Sequence, residues 1–188
     1  MALADCGLVP VPLELPRVQE ATELVRSLLI PIELWSYHER YRDREGLYGR
    51  NFLQRALPGR EANALQYLRA KDAQTEIRRE WLALFEQVDV IVLPANVAGA
   101  LPHGQDSIEI DGVVHPLRSV TSAYNPISNL TGFPAMAMPV GETPDGLPIG
   151  VQLIGPPLGE ARLLAVGHAL EQALGDLPAR WGIGPRRG

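Results

Sequence analysis

Two short apolar runs near the C-terminal end of the sequence, Ala135 to Val140 and Ile149 to Ile154, constrain the fold most strongly. They flank the turn Thr143-Pro144-Asp145-Gly146, in which the proline presets φ and the glycine tolerates a positive φ. This arrangement predicts a β-hairpin. Because Pro139 in the first run cannot donate a ladder hydrogen bond, we expect a free edge or a β-bulge at that point.

The spacing of apolar residues and the positions of glycine and proline predict the other elements. Helices are expected from Gln19 onward, kinked or restarted at Pro31, and then over Arg60 to Gln87 and Glu160 to Leu174. Leu8 to Leu15 is expected to be an extended segment that its two prolines confine to a sheet edge or leave as a loose extended stretch. Val88 to Pro94 is expected to be a buried central strand, followed by a loop over Ala95 to Leu117. Together these elements predict an α/β fold, with a mixed β-sheet of about four strands and helices on its faces.

Composition excludes several classes of protein. The 188 residues are 46% hydrophobic and carry a net charge of −5, which favours one globular domain and argues against a nucleic-acid partner. No apolar run is long enough to span a membrane, and the N-terminus lacks the order of a signal peptide. The single cysteine, Cys6, suits a reducing compartment and reads as a small buried hydrophobe. We therefore expect a cytoplasmic protein without a membrane partner.

Few residues suggest chemistry by themselves. Lys71 is the only lysine, and a solvated helix lysine beside Asp72 is a commoner arrangement than a catalytic base. His103 and His115 lie twelve positions apart without further ligands at metal-binding spacing, so we expect no metal site. Arg118 to Leu130 holds the densest run of small polar side chains. Such clusters are usually turns and helix caps, but one placed before the hairpin could also line a pocket.

The segment around the hairpin resembles the C-terminal part of the amidase signature family, which comprises serine-dependent amide hydrolases. The resemblance rests on Val88 to Pro94, Asn125, Asn129 to Ala135, Met138 to Gly141, Gly146 to Gly155, Glu160, Leu163, Leu164 and Glu171, in that order. It implies part of an α/β/α fold built around a mixed sheet, over residues 1–177, with a tail over 178–188. The closing segment Leu177 to Gly182 is similar to the tails of small-molecule and cyclic-amide amidases.

The family's catalytic set is a lysine, a cis-peptide serine and a nucleophilic serine on a Gly-Ser-Ser-Gly-rich loop. The serine hydroxyl needs an adjacent base, and backbone amides hold the oxyanion. This sequence has no adjacent serines and no such loop; its serines are at positions 27, 36, 107, 119, 122 and 128. In the family these residues precede the part that this sequence resembles, so we expect no catalytic residue here.

The resemblance therefore implies a C-terminal amidase portion that contributes scaffold and one substrate-pocket wall, and that is inactive as an isolated chain. By family analogy the wall residues would be Ser122, Tyr124 and Asn125. No cofactor is implied, and a small-molecule amide would be bound only with a complementing chain. Two alternatives stay open: the complementing half of a split amidase, and a non-catalytic binding or assembly module. Open sheet edges would favour a homo-oligomer or a partner chain that covers them.

Overall fold

The computed structural model describes residues 7–121 and 123–175. Its helices are α1 (Val18–Leu24), α2 (Ile30–His38), α3 (Arg50–Ala56), α4 (Pro58–Glu61), α5 (Ala64–Leu84), α6 (Leu117–Val120), α7 (Asn125–Thr131) and α8 (Glu160–Leu174). Its strands are β1 (Ile91–Pro94), β2 (Ser107–Ile110), β3 (Val113–Pro116), β4 (Ala135–Glu142) and β5 (Pro148–Ile154). A 3₁₀ segment, Glu39–Leu47, follows α2.

The main sheet has the strand order β1-β5-β4, and β2 pairs with β3 in a separate hairpin. Ile154 of β5 lies opposite Ile91 of β1 on one side and Ala135 of β4 on the other. An α/β fold with helices on the faces of its sheet is confirmed. Every pairing in the described residues is antiparallel, whereas a mixed sheet was expected.

Helices pack on both faces of the sheet. Successive side chains of β5 point to opposite sides, and each side is buried against helices. Ile154 is fully buried in a core that also holds Trp81 of α5 and Ile127 of α7. Leu153 is fully buried on the other face, against Leu163 and other residues of α8. The sheet is thus covered by α1, α5 and α7 on one side and by α8 on the other.

The predicted hairpin is present as β4 and β5. Gly146 N–H donates to Thr143 O at 2.9 Å, and Gly146 has a φ of 79°, so the Thr-Pro-Asp-Gly sequence forms the expected turn. The register of β4 shifts between Pro139 and Gly141. The prediction of a bulge or free edge at Pro139 is confirmed, since β4 is also the outermost strand of the described sheet on that side.

Helix α1 continues into α2 through one turn of π-helix, Val25–Leu29. Pro31, in the first turn of α2, has no N–H and would clash with the carbonyl of the residue four positions earlier in a regular α-helix. The wider π turn accommodates the proline without breaking the helix. Helix α4 then packs on this point through Gly59, where a Cβ atom would fall 2.0 Å from Pro31 O.

Other predictions need correction. Residues 8–15 form no strand in the structure, because Pro10 and Pro12 interrupt any ladder pairing there. The apolar run after α5 forms a strand only over Ile91–Pro94, and this strand is at an edge of the described sheet with Val92 41% exposed. The loop predicted over Ala95 to Leu117 contains the β2–β3 hairpin. Cys6 and the tail over 178–188 lie outside the described residues.

Within the described ranges, no helix is both long enough and apolar enough to cross a membrane.

Candidate functional site

The segment proposed as a pocket wall lies between α6 and the hairpin, and it includes the start of α7. Tyr124 is half-buried, and its ring packs against the core formed by α1, α5 and α7. Asn125 is the first residue of α7 and is exposed at the surface. Ser122 lies outside the described residues. The structure therefore brings Asn125 to the surface and directs Tyr124 into the core.

Helix α7 is held rigidly although it has only seven residues. Ile127 and Leu130 are almost completely buried. Two side chains of α5 bind the last carbonyls of α7: Gln74 Nε2 donates to Leu130 O at 2.6 Å, and Arg78 donates to Thr131 O. Carbonyls in the last turn of a helix have no partner within it, so these bonds satisfy groups that burial would otherwise leave unpaired.

Three hydrogen bonds hold α7 and the backbone that leads into it. Thr22 Oγ1 of α1 donates to Ala123 O at 2.8 Å. The side-chain amide of Asn96, just after β1, faces the carbonyls of Ala95 and Thr121, so its nitrogen is assigned to that side, where it donates to Thr121 O at 2.5 Å. Gln152 of β5 donates from Nε2 to Ser128 Oγ at 3.1 Å. The segment is therefore anchored to a helix, to the end of one strand and to the middle of another.

The Gln152 side chain is unusual because only half of its amide is satisfied. It is 5% exposed, and its Oε1 has no hydrogen-bond partner among the described residues. Ser128 Oγ in turn donates to Asn125 O at 3.2 Å, so a chain of hydrogen bonds runs from the sheet to the first residue of α7. A buried acceptor without a donor costs free energy, and such groups are rare in folded proteins.

A polar cleft of about 570 Å³ opens where the π turn, α3 and α7 meet. Helices α3 and α7 each contribute side chains three or four positions apart, which is the spacing that places residues on one helix face. Its amide-bearing and cationic side chains are Arg26, Asn51, Gln54, Arg55, Asn125 and Asn129. Asp106, just before β2, contributes a carboxylate. Of the two predicted wall residues that the structure describes, Asn125 lines this cleft and Tyr124 does not.

Sequence reasoning missed the residues of α3 and the π turn. Asn51, Gln54 and Arg55 lie at positions i, i+3 and i+4 of a helix, and this polar stripe is visible in the sequence. It was unremarkable there because exposed helix faces are usually polar. The approach of α3 to α7 depends on tertiary packing, which no local pattern encodes.

The hydroxyl groups of Ser27, Ser36, Ser119 and Ser128 donate to groups three or four residues away. Ser36 donates to Glu33 O at 2.9 Å and Ser119 to Pro116 O at 2.7 Å, both within one turn of chain. Lys71 Nζ donates to Gln74 Oε1. In residues 7–121 and 123–175, no serine hydroxyl is hydrogen-bonded to a lysine or a histidine, which is the contact that activates a serine nucleophile.

Histidine and carboxylate side chains are the usual oxygen and nitrogen ligands of metal ions. Across the part of the chain that the structure describes, no three His, Cys, Asp or Glu side chains come together as a metal site requires. His38 instead lies in an aromatic cluster, where its Nδ1 is 2.9 Å from the Tyr48 hydroxyl and its ring meets Phe52 edge-on.

Comparison with known proteins places the chain in a family. The family model described as Amidase matches residues 1–164. The chain belongs to the amidase family. This membership agrees with the resemblance in the hairpin segment, and the match also extends over the N-terminal helices.

Several amidase relatives are similar in sequence over part of the chain. The A subunit of the glutamyl-tRNA(Gln) amidotransferase of Rhizobium leguminosarum bv. trifolii is 37% identical over 117 residues, which cover 61% of this chain and 23% of the relative. The corresponding protein of a Synechococcus species is 41% identical over 115 residues, covering 61% and 22%. The chain thus spans about a quarter of the length of these curated relatives.

Solved structures extend the similarity to nearly all of the chain. A structure from a vestigial protein complex that reveals the evolutionary origins of an s-triazine catabolic enzyme superimposes with a TM-score of 0.81 at 27% identity. That match covers 93% of this chain and 38% of the other. The 6-aminohexanoate cyclic dimer hydrolase, complexed with substrate, shares the fold with a TM-score of 0.72 at 19% identity, over 94% of this chain and 40% of the hydrolase.

Proposed function

We propose that these residues form the C-terminal scaffold and one substrate-pocket wall of an amide C–N bond hydrolase, and that the residues performing hydrolysis lie outside them. The observation that carries the proposal is the bonding of the serines and of Lys71, none of which forms a nucleophile–base pair among the described residues. Family membership gives the chemistry, amide hydrolysis, to which such a scaffold would contribute.

Asn125, Tyr124 and Ser122 are proposed as the wall. Asn125 supports this role because it lines the polar cleft beside the hairpin. Tyr124 would act by holding the backbone of the wall against the core, since its ring packs there. Hydrogen bonds from Thr22 and Asn96 hold the backbone of this wall, and Gln152 holds α7 through Ser128, as a wall that orients a substrate requires.

An ammonia-release assay with acetamide, propionamide and benzamide tests the proposal. The purified chain of 188 residues should release ammonia no faster than buffer. Lys71→Ala and the matched surface variant Arg79→Ala should behave alike, with thermal unfolding confirming that each is folded. Robust turnover that Lys71→Ala abolishes and Arg79→Ala preserves would overturn the proposal.

A complementing polypeptide is a related proposal. Coexpression with the part of an amidase relative that carries the family's lysine and paired serines should produce hydrolysis that neither part shows alone. Absence of any complex between the two parts on size-exclusion chromatography would count against it.

A second candidate function, a binding or assembly module, is favoured by the edges of the sheet. β1 and β4 each have one side without a strand partner in the described residues, and unpaired edges associate with other chains unless they are covered. We propose that a second copy or a partner chain covers them. Light scattering should give a mass of at least two chains, and a mass of one chain at micromolar concentration would contradict this proposal.

A further inference from the structure

Two Asp-Gly pairs, Asp111-Gly112 and Asp145-Gly146, form the turns of the two hairpins. An aspartate before a glycine is open to an intramolecular reaction, because glycine has no Cβ that obstructs the approach of its backbone nitrogen to the aspartate carboxyl group. Both aspartates and both glycines are exposed, so exposure does not distinguish the pairs. Their hydrogen bonds and their anchoring in the fold do.

The reaction begins with the closure of a succinimide ring. The glycine nitrogen attacks Cγ of the aspartate, an N–Cγ bond forms, and the nitrogen proton leaves with the carboxyl hydroxyl group as water. Another water molecule then opens the ring. When the bond between the nitrogen and the original backbone carbonyl carbon breaks, the product is isoaspartate, whose backbone runs through Cγ and whose Cα carries the free carboxyl group.

The glycine N–H is hydrogen-bonded in one pair and not in the other. Gly146 N–H donates to Thr143 O at 2.9 Å, and two further bonds, at 2.8 and 3.0 Å, join Thr143 to Leu147 across the same turn. No backbone carbonyl of residues 7–121 and 123–175 accepts a hydrogen bond from Gly112 N–H. Loss of a hydrogen bond opposes the attack, because the nitrogen must give up its proton. That opposition is absent at Gly112.

The two hairpins also differ in how firmly the fold holds them. Among the described strands, β2 and β3 have four residues each and pair only with each other. Strands β4 and β5 are eight and seven residues long and belong to the sheet that helices cover on both faces. A two-stranded hairpin is marginally stable by itself, and segments with few buried contacts open locally at little cost in free energy. The Asp111 turn therefore opens more readily than the Asp145 turn.

The backbone of Asp111 favours opening as well. Asp111 has a φ of 52°, whereas Asp145 is not among the described residues with positive φ. Residues with a Cβ populate the left-handed region sparsely, so the closed turn holds Asp111 in a conformation that opening relieves.

We propose that Asp111 is a modification site at which isoaspartate forms spontaneously, and that the fold protects Asp145 from the same reaction. Isoaspartate adds one carbon atom to the backbone of a two-residue turn in which both residues have positive φ. The strands that this turn joins lead to Asp106 and Leu117, where Leu117 N–H donates to Asp106 O at 2.8 Å. Both residues line the polar cleft, so isomerisation would loosen one side of it.

Ageing of the full chain at neutral pH and physiological temperature tests the proposal. Trypsin separates the two pairs into peptides 80–118 and 119–162, because neither peptide contains a lysine or arginine before its last residue. An isoaspartyl methyltransferase then labels isoaspartate with a methyl group from S-adenosylmethionine, and fragment ions locate the labelled residue. Peptide 80–118 should acquire several-fold more label than peptide 119–162, and the label should be at Asp111.

A sample aged in denaturing urea separates the effect of the fold from that of the sequence. Without the hydrogen bonds of the turns, the two pairs should acquire similar amounts of label. Asp111→Glu should remove the label from peptide 80–118, because glutamate would have to close a larger ring, which forms more slowly. Asp89→Glu is the matched control, since Asp89 is an exposed aspartate of the same peptide, and it should leave the label unchanged. Circular dichroism verifies that both variants are folded.

Equal label in the two peptides of the folded chain, or more label in peptide 119–162, would overturn the proposal. Label that survives Asp111→Glu would also overturn it, as would the absence of label from a folded chain whose counterpart in urea acquires it. The comparison of the two wild-type peptides needs no variant, so it decides the question even where Asp111→Glu does not fold. It involves no amide turnover by the chain and is therefore independent of the proposed function.

Discussion

Gln152 on the central strand donates from Nε2 to Ser128 Oγ on α7 at 3.1 Å, while its Oε1 has no partner in the described residues. This half-satisfied amide joins the sheet to the segment that leads into the cleft. Its energetic role can be measured because the two atoms of the amide have opposite effects. The Nε2 bond is favourable, and the unpaired Oε1 is costly.

Ser128→Ala should lower the free energy of unfolding by about 1–3 kcal/mol, because it leaves the buried Nε2 of Gln152 without an acceptor. Gln152→Met has a similar volume and no unsatisfied polar atom, so it should cost less than about 1 kcal/mol. Adding Ser128→Ala to the Gln152→Met variant should then change the free energy of unfolding little. Urea denaturation of the four proteins gives the coupling free energy, and strictly additive effects would show that the two side chains do not depend on each other.

Gly59 and Gly167 should respond differently to alanine, although both lie in helices where alanine has the higher propensity. A Cβ at Gly59 would fall 2.0 Å from Pro31 O, which is backbone and cannot move alone. A Cβ at Gly167 would meet Met136 Cε, the end of a flexible side chain. Gly59→Ala should destabilise by about 1–3 kcal/mol or more, and Gly167→Ala should be close to neutral.

Thermal unfolding of the two glycine variants provides the comparison, with each variant serving as the control for the other. Equal melting temperatures for the two variants would show that the rigidity of the neighbouring atoms does not determine how strongly the added Cβ destabilises the protein.

Stability should also depend on pH through Glu20. Side-chain hydrogen bonds from the Arg17 guanidinium lower the pKa of Glu20 below its ordinary value of 4.5. The unfolded chain therefore binds this proton more readily, so the contribution is complete above the ordinary value and is lost as pH falls through the folded one. The Glu20 side chain is 52% exposed and that of Arg17 is 27% exposed, so solvent screening keeps the effect small.

Urea denaturation at about pH 6 and about pH 3.5 measures this contribution. Arg17→Gln should reduce the loss of stability between the two values, whereas Arg79→Gln should not. An identical pH dependence in wild type and Arg17→Gln would contradict the assignment to this pair.

The sequence predicts best those elements whose boundaries depend on local chemistry. The β4–β5 hairpin was predicted because Pro144 and Gly146 fix its turn, and α8 begins at Glu160 and ends at Leu174 as predicted. The start of α5 was predicted a few residues early. The capping box between Asn63 and Gln66, visible in the sequence, places its first residue at Ala64.

The β2–β3 hairpin was missed although it has a strong signal. Asp111-Gly112 separates alternating apolar residues, and both have positive φ, as a two-residue hairpin turn requires. The cleft could not be predicted in the same way. Arg26 and Asn125 are far apart in the sequence, and they line one cleft only because the π turn, α3 and α7 meet there.

The π turn between α1 and α2 can be regarded as a single-residue insertion in an otherwise continuous helix. In an α-helix each residue advances the direction of its side chain by about 100°. Deleting one residue within Val25–Leu29 would leave a continuous helix whose N-terminal part has turned by roughly that angle relative to α2. The face that α1 turns toward the core, and the packing of Ala21 there, therefore depend on the presence of this one additional residue.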